Sequence, residues 1–177
     1  MTLCEALPRE QIRERSIPVL ETKRLALRAP RLEDAKTVAT LANDRRIAKN
    51  TARIPHPYKM SDAEGFISGA NKAGGEAVFL ITLRDKTVIG ACGVRLQDET
   101  PELGYWLGVP HWGNGYATEA ARAARDWAFE TVGVDRLISL VDLENARSLR
   151  VAERLGATQT ETVTLKGKQT AVWVHPR

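Results

Sequence analysis

A short glycine-containing stretch in the second half of the chain, His-Trp-Gly-Asn-Gly-Tyr-Ala at residues 111–117, has residue types that suit anion binding. Gly113 and Gly115 can adopt backbone torsions that other residues avoid, and neither carries a Cβ that would keep a bulky ligand away from the backbone amides. If a helix begins directly after them, its first-turn N–H groups have no intrahelical partner and can bind a negative group. The stretch therefore predicts a diphosphate-binding turn, although short glycine motifs also occur in turns that bind nothing.

The flanking sequence predicts the two elements that would position this turn. Upstream, Leu103, Tyr105 and Leu107 follow the period-two pattern of a strand, and Pro110 ends it because proline cannot donate to a strand ladder. Downstream, alanines recur at helical spacing over residues 116–130, with charged residues on the opposite side. A helix lined with alanine can lie close against a sheet, so we expect a strand, a turn and a packed helix in this order.

This arrangement resembles the acyl-CoA-binding half of the GNAT superfamily of N-acetyltransferases, and most of all the branch that acetylates ribosomal-protein N-termini, the Rim-type enzymes. The Gln/Arg-x-x-Gly-x-Gly/Ala signature of that superfamily is matched by Trp112, Gly115 and Ala117, with tryptophan where relatives have Gln or Arg. A second match is Glu-Asn-Ala-Arg-Ser-Leu-Arg-Val-Ala-Glu-Arg-Leu-Gly-Ala at residues 144–157. The resemblance covers residue 21 to the C-terminus and is strongest over residues 101–157.

The resemblance implies an α/β (α+β) fold: a mixed, mostly antiparallel sheet of about six to seven strands flanked by about four helices, splayed between the strands near Glu102 and Leu137. It also implies that acetyl-CoA is the co-substrate, with its pyrophosphate on the glycine turn and its pantetheine arm between the splayed strands. Amides near Leu107 and Val109 would pair with that arm and polarise the thioester carbonyl. The residues expected to contact acetyl-CoA are Leu107, Gly108, Val109, Trp112, Gly113, Asn114, Gly115, Tyr116, Ala117, Thr118, Asn145 and Ser148.

Transfer of an acetyl group from a thioester requires a neutral amine as nucleophile. Deprotonating a lysine amine with a pKa of about 10.4 costs roughly 4–5 kcal/mol at neutral pH, whereas an α-amine costs only about 1 kcal/mol. A strong base is therefore optional for N-terminal acceptors. Glu102, on the strand beside the expected splay, is the candidate general base, directly or through water. The alternative is a surface carboxylate at a strand end.

The leaving thiolate requires a proton. Ser148 matches the serine of the family's Asn-x-x-Ser helix, and the resemblance implies that it is the proton donor, with Asn145 contacting the cofactor or fixing the helix start. Asn145 as an N-cap and Ser148 as a first-turn hydroxyl is the structural alternative, and both roles can hold together. Arg147, Arg150 and Arg154 are candidates for the 3′-phosphate of the cofactor or, alternatively, a solvated basic helix face.

Composition limits the remaining choices. A chain of 177 residues with 43% hydrophobic and 27% charged residues suits one globular domain, which we place at residues 21–177 after a lead-in at residues 1–20. The net charge of +4 comes from scattered basic residues, so we expect no nucleic-acid partner. No apolar run reaches the length of a membrane span and the N-terminus lacks a signal sequence, so we expect no membrane association and a cytoplasmic location. Cys4 and Cys92 have no neighbouring ligand cluster, and no metal is expected.

The acceptor side is less well defined. Residues 51–60 form a proline-containing loop. The resemblance implies that this loop helps form the acceptor side of the cleft, with His56 and Tyr58 as the tentative substrate-binding residues, although a plain connector fits equally well. One helix is expected over residues 32–44 and another from Ser61, where Ser61 and Glu64 form a capping box, to about Gly74. The amine acceptor itself is open among protein N-termini, aminoglycoside-like amines, amino acids and polyamines. If a homodimer forms, we expect it to use the terminal strands.

Two other functions compete with acetyl transfer. A dinucleotide-binding site would use the same glycines and place a ribose-binding acid at Asp142, but the third glycine position is Thr118 and the acid comes later than usual. A non-catalytic CoA-binding sensor or protein-interaction module of the same fold is the second alternative. Intact glycines do not distinguish it from an enzyme, whereas turnover does.

Overall fold

One sheet of eight strands, with helices on both faces, makes up the computed structural model, which describes residues 17–72, 75–97 and 99–177. The strands are β1 (Leu20–Glu21), β2 (Leu25–Arg28), β3 (Glu76–Leu83), β4 (Val88–Arg95), β5 (Glu102–Leu107), β6 (Ile138–Asp142), β7 (Thr158–Leu165) and β8 (Lys168–Val174). The α-helices are α1 (Ala35–Ala42), α2 (Arg45–Asn50), α3 (Met60–Gly69), α4 (Tyr116–Trp127) and α5 (Ala146–Arg154). The predicted mixed fold is confirmed, and the strand count exceeds the expected six to seven. The lead-in up to residue 16, including Cys4, lies outside the described residues.

The sheet order places the splay where the sequence predicts it. The strands lie in the order β1-β2-β3-β4-β5-β6-β8-β7, and every neighbouring pair is antiparallel except β5 and β6. These two parallel strands are paired at one position, Glu102 opposite Ile138. Beyond it, β5 continues with β4 and β6 continues with β8, so the two strands diverge and leave a gap in the sheet.

The alternation of side chains along the strands produces two apolar layers. On one face, Phe79 and Ile81 belong to the same buried cluster as α4, and the Phe79 ring meets Trp127 edge-to-face with centroids 5.3 Å apart. On the other face, Leu80 packs with α1 and α3. Ala120, Ala121 and Ala124 are completely buried, which confirms that the alanine stripe brings α4 close to the sheet.

The first predicted helix is interrupted, and this changes the cleft. Residues 32–34 form a 3-10 turn and α1 ends at Ala42; a separate helix, α2, then begins at Arg45. The Asp44 carboxylate caps α2 by accepting a hydrogen bond from the Arg46 backbone N–H at 2.8 Å. The sequence pattern does not predict α2, because it places Asp44 at the end of one helix and not at the cap of another.

Helix α3 also starts differently from the expected capping box. Its N-terminal backbone is satisfied by Asp62, whose carboxylate accepts from the Lys59 N–H at 2.7 Å, so the predicted Ser61–Glu64 box is wrong. The helix ends at Gly69, before the predicted stop at Gly74, which lies outside the described residues. Of the helices that the structure describes, none is long and apolar enough to cross a membrane.

Candidate active site

A cleft of about 290 Å³ lies beside the divergence of β5 and β6. The end of β5, the glycine turn with the first turn of α4, helix α5 and helix α2 contribute its walls. Most of the predicted cofactor residues line it: Leu107, Trp112, Gly113, Gly115, Tyr116, Ala117, Thr118, Asn145 and Ser148. The structure therefore brings the turn and the Asn-x-x-Ser helix, about thirty residues apart in sequence, to one cavity.

The glycine turn has the backbone conformation that its sequence suggests. Gly113 and Gly115 have φ angles of +80° and +78°, and Gly115 is the N-cap of α4. In this left-handed region an L-residue costs roughly 1–2 kcal/mol. A Cβ built on Gly113 would meet no atom within 4 Å, so the turn presents open space in front of its amides. The turn and the first turn of the helix can thus hold a diphosphate.

Trp112 connects the turn to β5. Its indole N–H donates to the Leu107 carbonyl oxygen at 2.8 Å. The guanidinium of Arg147 lies 4.6 Å from the ring centroid and that of Arg46 lies 6.0 Å from it, both within the range of cation–π contacts. The tryptophan at the Gln/Arg position of the signature therefore fixes the turn against the strand and contributes an aromatic wall between two helices.

Asn145 and Ser148 form a reciprocal cap at the start of α5. The Asn145 side-chain oxygen accepts from the Ser148 backbone N–H at 3.2 Å, and its side-chain amide donates to the Ser148 Oγ at 3.0 Å. Because Oγ serves as acceptor in this pair, the hydroxyl hydrogen of Ser148 is available to another group. The N-cap role and a proton-donor role are thus compatible.

Several cleft residues were missed by sequence reasoning. Tyr105 lines the cleft, and its hydroxyl donates to the Ser148 carbonyl oxygen at 3.5 Å; burial raises the pKa of Tyr105 to about 12, so the phenol is protonated at neutral pH. Helix α2 adds Arg46, Ile47 and Asn50 to the cleft. The Asp44 cap was the one available signal for α2, while the strand pattern placed Tyr105 in β5 without showing what its side chain contacts.

Glu102 lies where β5 and β6 separate. It is opposite Ile138, and its carboxylate is 3.3 Å from a guanidinium nitrogen of Arg95 on β4. The described residues that line the cleft do not include Glu102. Its assignment as general base therefore stays a prediction, and it would have to act through water.

Gly108 and Val109, also expected to contact the cofactor, are not among the described residues that line the cleft. The Gly108 N–H donates to the Ile89 carbonyl at 2.9 Å, and a Cβ on Gly108 would lie 2.6 Å from the Leu41 Cδ2 atom. Val109 begins a 3-10 turn whose first carbonyl accepts from the Trp112 N–H at 3.2 Å. Gly108 thus allows the close approach of α1, and its amide belongs to the sheet.

The structure does not bring His56 and Tyr58 to the cleft. His56 is exposed, whereas Tyr58 is buried in the apolar cluster between α1 and α3, and its backbone N–H donates to the Asn43 side chain at 2.9 Å. Burial, together with nearby Asp62, raises the pKa of Tyr58. Neither residue is among the described cleft-lining residues.

Three arginines of α5 line the cleft. The sequence allows them two roles, contact with the 3′-phosphate of the cofactor or a solvated basic helix face. Arg147, Arg150 and Arg154 recur at helical spacing along one side of α5 and are exposed at its rim. Their charges favour an anionic ligand group next to the turn.

The dinucleotide alternative disagrees with the structure. Doubly wound dinucleotide folds need a mostly parallel sheet. In the described sheet, β5 and β6 are parallel and every other neighbouring pair is antiparallel. Asp142, the candidate ribose ligand, accepts from the Lys168 ammonium at 2.7 Å, and this hydrogen bond is the main reason that its pKa is lowered. In the described part of the chain, no group of three or more His, Cys, Asp or Glu side chains is arranged to hold a metal ion.

Comparisons with known proteins agree with this geometry. The family model for the acetyltransferase (GNAT) domain matches residues 24–158. The chain is 31% identical over 142 residues to the uncharacterized N-acetyltransferase p20 of Bacillus licheniformis, covering 77% of this chain and 80% of that protein. It is 38% identical over 89 residues to the uncharacterized protein YkkB of Bacillus subtilis (strain 168), a match that covers 48% of this chain and only about half (52%) of that protein.

Solved structures give the same result. An acetyltransferase from Agrobacterium tumefaciens strain C58 superposes with a TM-score of 0.76 at 30% identity, covering 92% of this chain and 96% of that one. RimL, a ribosomal L7/L12 α-N-protein acetyltransferase solved with coenzyme A, superposes with a TM-score of 0.79 over 89% of this chain and 97% of its own. At 16% identity, the match to RimL shows the fold alone.

Proposed function

The chain belongs to the acetyltransferase (GNAT) family, and on that premise we propose that it is an N-acetyltransferase that moves an acetyl group from acetyl-CoA to a primary amine by direct attack in a ternary complex. The observation that carries the proposal is the cleft at the divergence of β5 and β6, which has a positive-φ glycine turn at a helix start and the Ser148 hydroxyl in the same cavity.

Acetyl-CoA supplies the acetyl thioester and an anionic nucleotide. The backbone amides of residues 113–118 bind its diphosphate: those of residues 115–118 lie at the start of α4 and have no helical partner, and those of Gly113 and Asn114 belong to the turn before it. Arg150 and Arg154 provide positive charge for the 3′-phosphate of acetyl-CoA. Tyr105 and Trp112 contribute aromatic walls to the region between the turn and the strand.

Two residues take part in the proposed proton transfers. As the amine nitrogen bonds to the thioester carbon and the carbon–sulfur bond breaks, Ser148 donates its hydroxyl proton to the departing sulfur. Asn145 keeps the Ser148 Oγ in place through the 3.0 Å hydrogen bond. The proton lost by the amine passes through water to Glu102, the proposed acceptor, and Glu102 returns it through water to the Ser148 oxygen, so that both residues are restored.

The first acceptor class to test is a protein N-terminus. An α-amine costs only about 1 kcal/mol to deprotonate at neutral pH, so it needs little help from a base that acts through water. RimL, which shares this fold, acts on such an amine according to its name. Small-molecule primary amines are the second class.

Incubation of the full chain with acetyl-CoA and a panel of peptide N-termini, amino acids, aminoglycosides and polyamines tests the proposal. We expect free CoA and an acetylated amine in equal amounts for at least one acceptor. CoA binding without turnover on any member of the panel would favour the non-catalytic sensor or interaction module. Absence of CoA binding would contradict both.

A further inference from the structure

Arg24, which immediately precedes β2, contacts the glycine turn from outside the cleft. Its Nε donates to the Glu119 carboxylate at 2.7 Å, and its Nη1 donates to the Asn114 carbonyl oxygen at 2.9 Å. Its guanidinium carbon lies 4.7 Å from the centroid of the Tyr116 ring. All three partners belong to the turn or to the first helical turn of α4, some ninety residues away in sequence, and the proposed mechanism makes no use of Arg24.

The contact with Asn114 determines the direction of an amide. In a trans peptide the C=O of one residue and the N–H of the next point to opposite sides, and the described cis peptide lies elsewhere, between His56 and Pro57. Because Arg24 holds the Asn114 carbonyl, the Gly115 N–H must point away from Arg24. Gly115 lines the cleft, and a Cβ built on it would lie 3.4 Å from a nitrogen of Arg24, on the outer side.

A second carbonyl of the turn is held in the same way. The Asn114 side-chain amide donates to the Trp112 carbonyl at 3.1 Å, which fixes the peptide before Gly113. The carbonyls of Trp112 and Asn114 are thus bound to donors, and the N–H groups of Gly113 and Gly115, on the opposite sides of the same peptides, point away from those donors.

We propose that Arg24 is a positioning residue for the phosphate-binding turn: it orients the Asn114–Gly115 peptide so that the Gly115 amide, and not the Asn114 carbonyl, faces the diphosphate of acetyl-CoA. This inference rests on the proposed function. Without Arg24 the two glycines leave the peptide free to rotate, and a carbonyl turned toward the phosphates would repel them.

Arg24 is itself held in place. Glu119 accepts from the Thr22 hydroxyl at 2.6 Å and from the Arg24 backbone N–H at 2.8 Å. Partial burial alone would raise the pKa of Glu119, but the hydrogen bonds from Thr22 and Arg24 outweigh it and hold that pKa below its usual range. A planar guanidinium can bind a carboxylate and a carbonyl at once, which a lysine ammonium on a flexible stem does far less well.

Arg84 offers a matched control. It reaches the same β1–β2 corner, where its guanidinium contacts Glu21 and the Thr22 carbonyl, but it makes no contact with the glycine turn. Arg84→Gln removes one exposed arginine from this corner and leaves the turn intact.

Titration of CoA into the full-length wild type, Arg24→Gln, Arg24→Lys and Arg84→Gln, together with KM and kcat for acetyl-CoA, tests the inference. We expect both Arg24 variants to bind CoA about tenfold more weakly with kcat unchanged, since one charged hydrogen bond is worth roughly this factor. Arg84→Gln should bind like the wild type. Full recovery in Arg24→Lys would mean that charge alone matters, and unchanged affinity in Arg24→Gln would remove the role altogether.

The Gly115 amide resonance separates this inference from the proposed function. In NMR spectra of the chain without any ligand, we expect the Gly115 N–H signal to shift or broaden in Arg24→Gln and to remain unchanged in Arg84→Gln. If the Gly115 signal shifts in Arg24→Gln but the wild-type chain does not bind CoA, the result would support the role of Arg24 in orienting the peptide and contradict the cofactor assignment. An unmoved signal would contradict the orientation itself.

Discussion

The two sides of the cleft are built differently. On the cofactor side, the backbone carbonyls of Leu107, Trp112 and Asn114 each accept a hydrogen bond from a side chain. On the expected acceptor side, the segment 49–58 is largely exposed. Lys168 and Lys166 of the β7–β8 hairpin donate to the carbonyls of Lys49 and Ala52, Arg53 pairs with Glu76, and Tyr58 is buried.

This difference matches what each side must do. Because the cofactor is the same in every reaction, backbone groups fixed in one geometry can bind it. An acceptor site must differ between relatives, and specificity is commonly carried by exposed loops on a rigid scaffold. We therefore expect substitutions in the turn to have large effects for every acceptor, and substitutions in the loop to have small or acceptor-dependent effects.

The largest effect is expected from Gly115→Val. A β-branched residue at φ +78° is strained, and its side chain would also press on Arg24, so the turn should lose its phosphate-binding shape. Isothermal titration should detect no CoA binding. Gly65→Ala in α3, outside the described cleft lining, is the glycine control, because a Cβ there meets nothing within 4 Å, and it should leave binding intact. Equal CoA affinity in both variants would contradict the contrast between the two sides.

Ser148→Ala should act on the chemical step. Loss of the proton donor should lower kcat by about 10²–10⁴-fold while CoA affinity stays nearly unchanged. The reverse pattern, a raised KM for acetyl-CoA with kcat preserved, would assign Ser148 to binding alone. Tyr105→Phe is the companion variant, since that hydroxyl is the other one in the cleft near α5.

Glu102→Gln should show an effect that depends on the acceptor. The variant keeps the shape of the side chain and loses its basicity, so kcat with a lysine-like amine should fall by up to about 10²-fold and recover as pH rises. With an α-amine the loss should be smaller at every pH. An unchanged pH–rate profile for both acceptors would make Glu102 a structural partner of Arg95.

The contrast between the two sides also explains what the sequence could predict. The strand, turn and helix around Gly113 and Gly115 follow from local rules, because glycine adopts φ > 0 at the least cost and a stripe of small alanine side chains allows close packing on a sheet. The resemblance places Tyr58 on the acceptor side because it lies in the loop 51–60, whereas the packing of α1 against α3 buries it. Helix α2 is only six residues long, so it has too little periodicity to be distinguished from the preceding helix.

His175, at the β5–β6 junction, should make the stability of the fold depend on pH. Its Nε2 lies 2.8 Å from the Ser139 Oγ, which also donates to the Leu103 carbonyl at 3.0 Å next to the paired position. Burial, reinforced by the nearby charge of Arg125, lowers the pKa of His175 to about 4. Below a pH of about 6.5, His175 is protonated in the unfolded chain but stays neutral in the folded chain. The free energy of unfolding should therefore fall by about 3 kcal/mol between pH 6.5 and 4.

Urea unfolding at several pH values measures this slope. In His175→Gln the side-chain amide can still donate to Ser139 but cannot be protonated, so the loss of stability between pH 6.5 and 4.5 should largely disappear. The same slope in wild type and variant would mean that other groups cause it.

The smallest effect is expected from Tyr58→Phe, which decides whether the acceptor loop contacts substrate through this residue. The ring fills the space between α1 and α3, and phenylalanine keeps that packing, so stability should change by less than about 1 kcal/mol. Because Tyr58 does not reach the cleft, KM for the acceptor should be unchanged, and kcat as well.

Asn50→Ala is the informative partner, since Asn50 lies on α2 and lines the cleft, and it should raise the acceptor KM while leaving CoA affinity unaltered. If Tyr58→Phe raises the acceptor KM and Asn50→Ala does not, the loop must move to present Tyr58 when the acceptor binds. The acceptor side would then differ from the cofactor side in mobility as well as in composition.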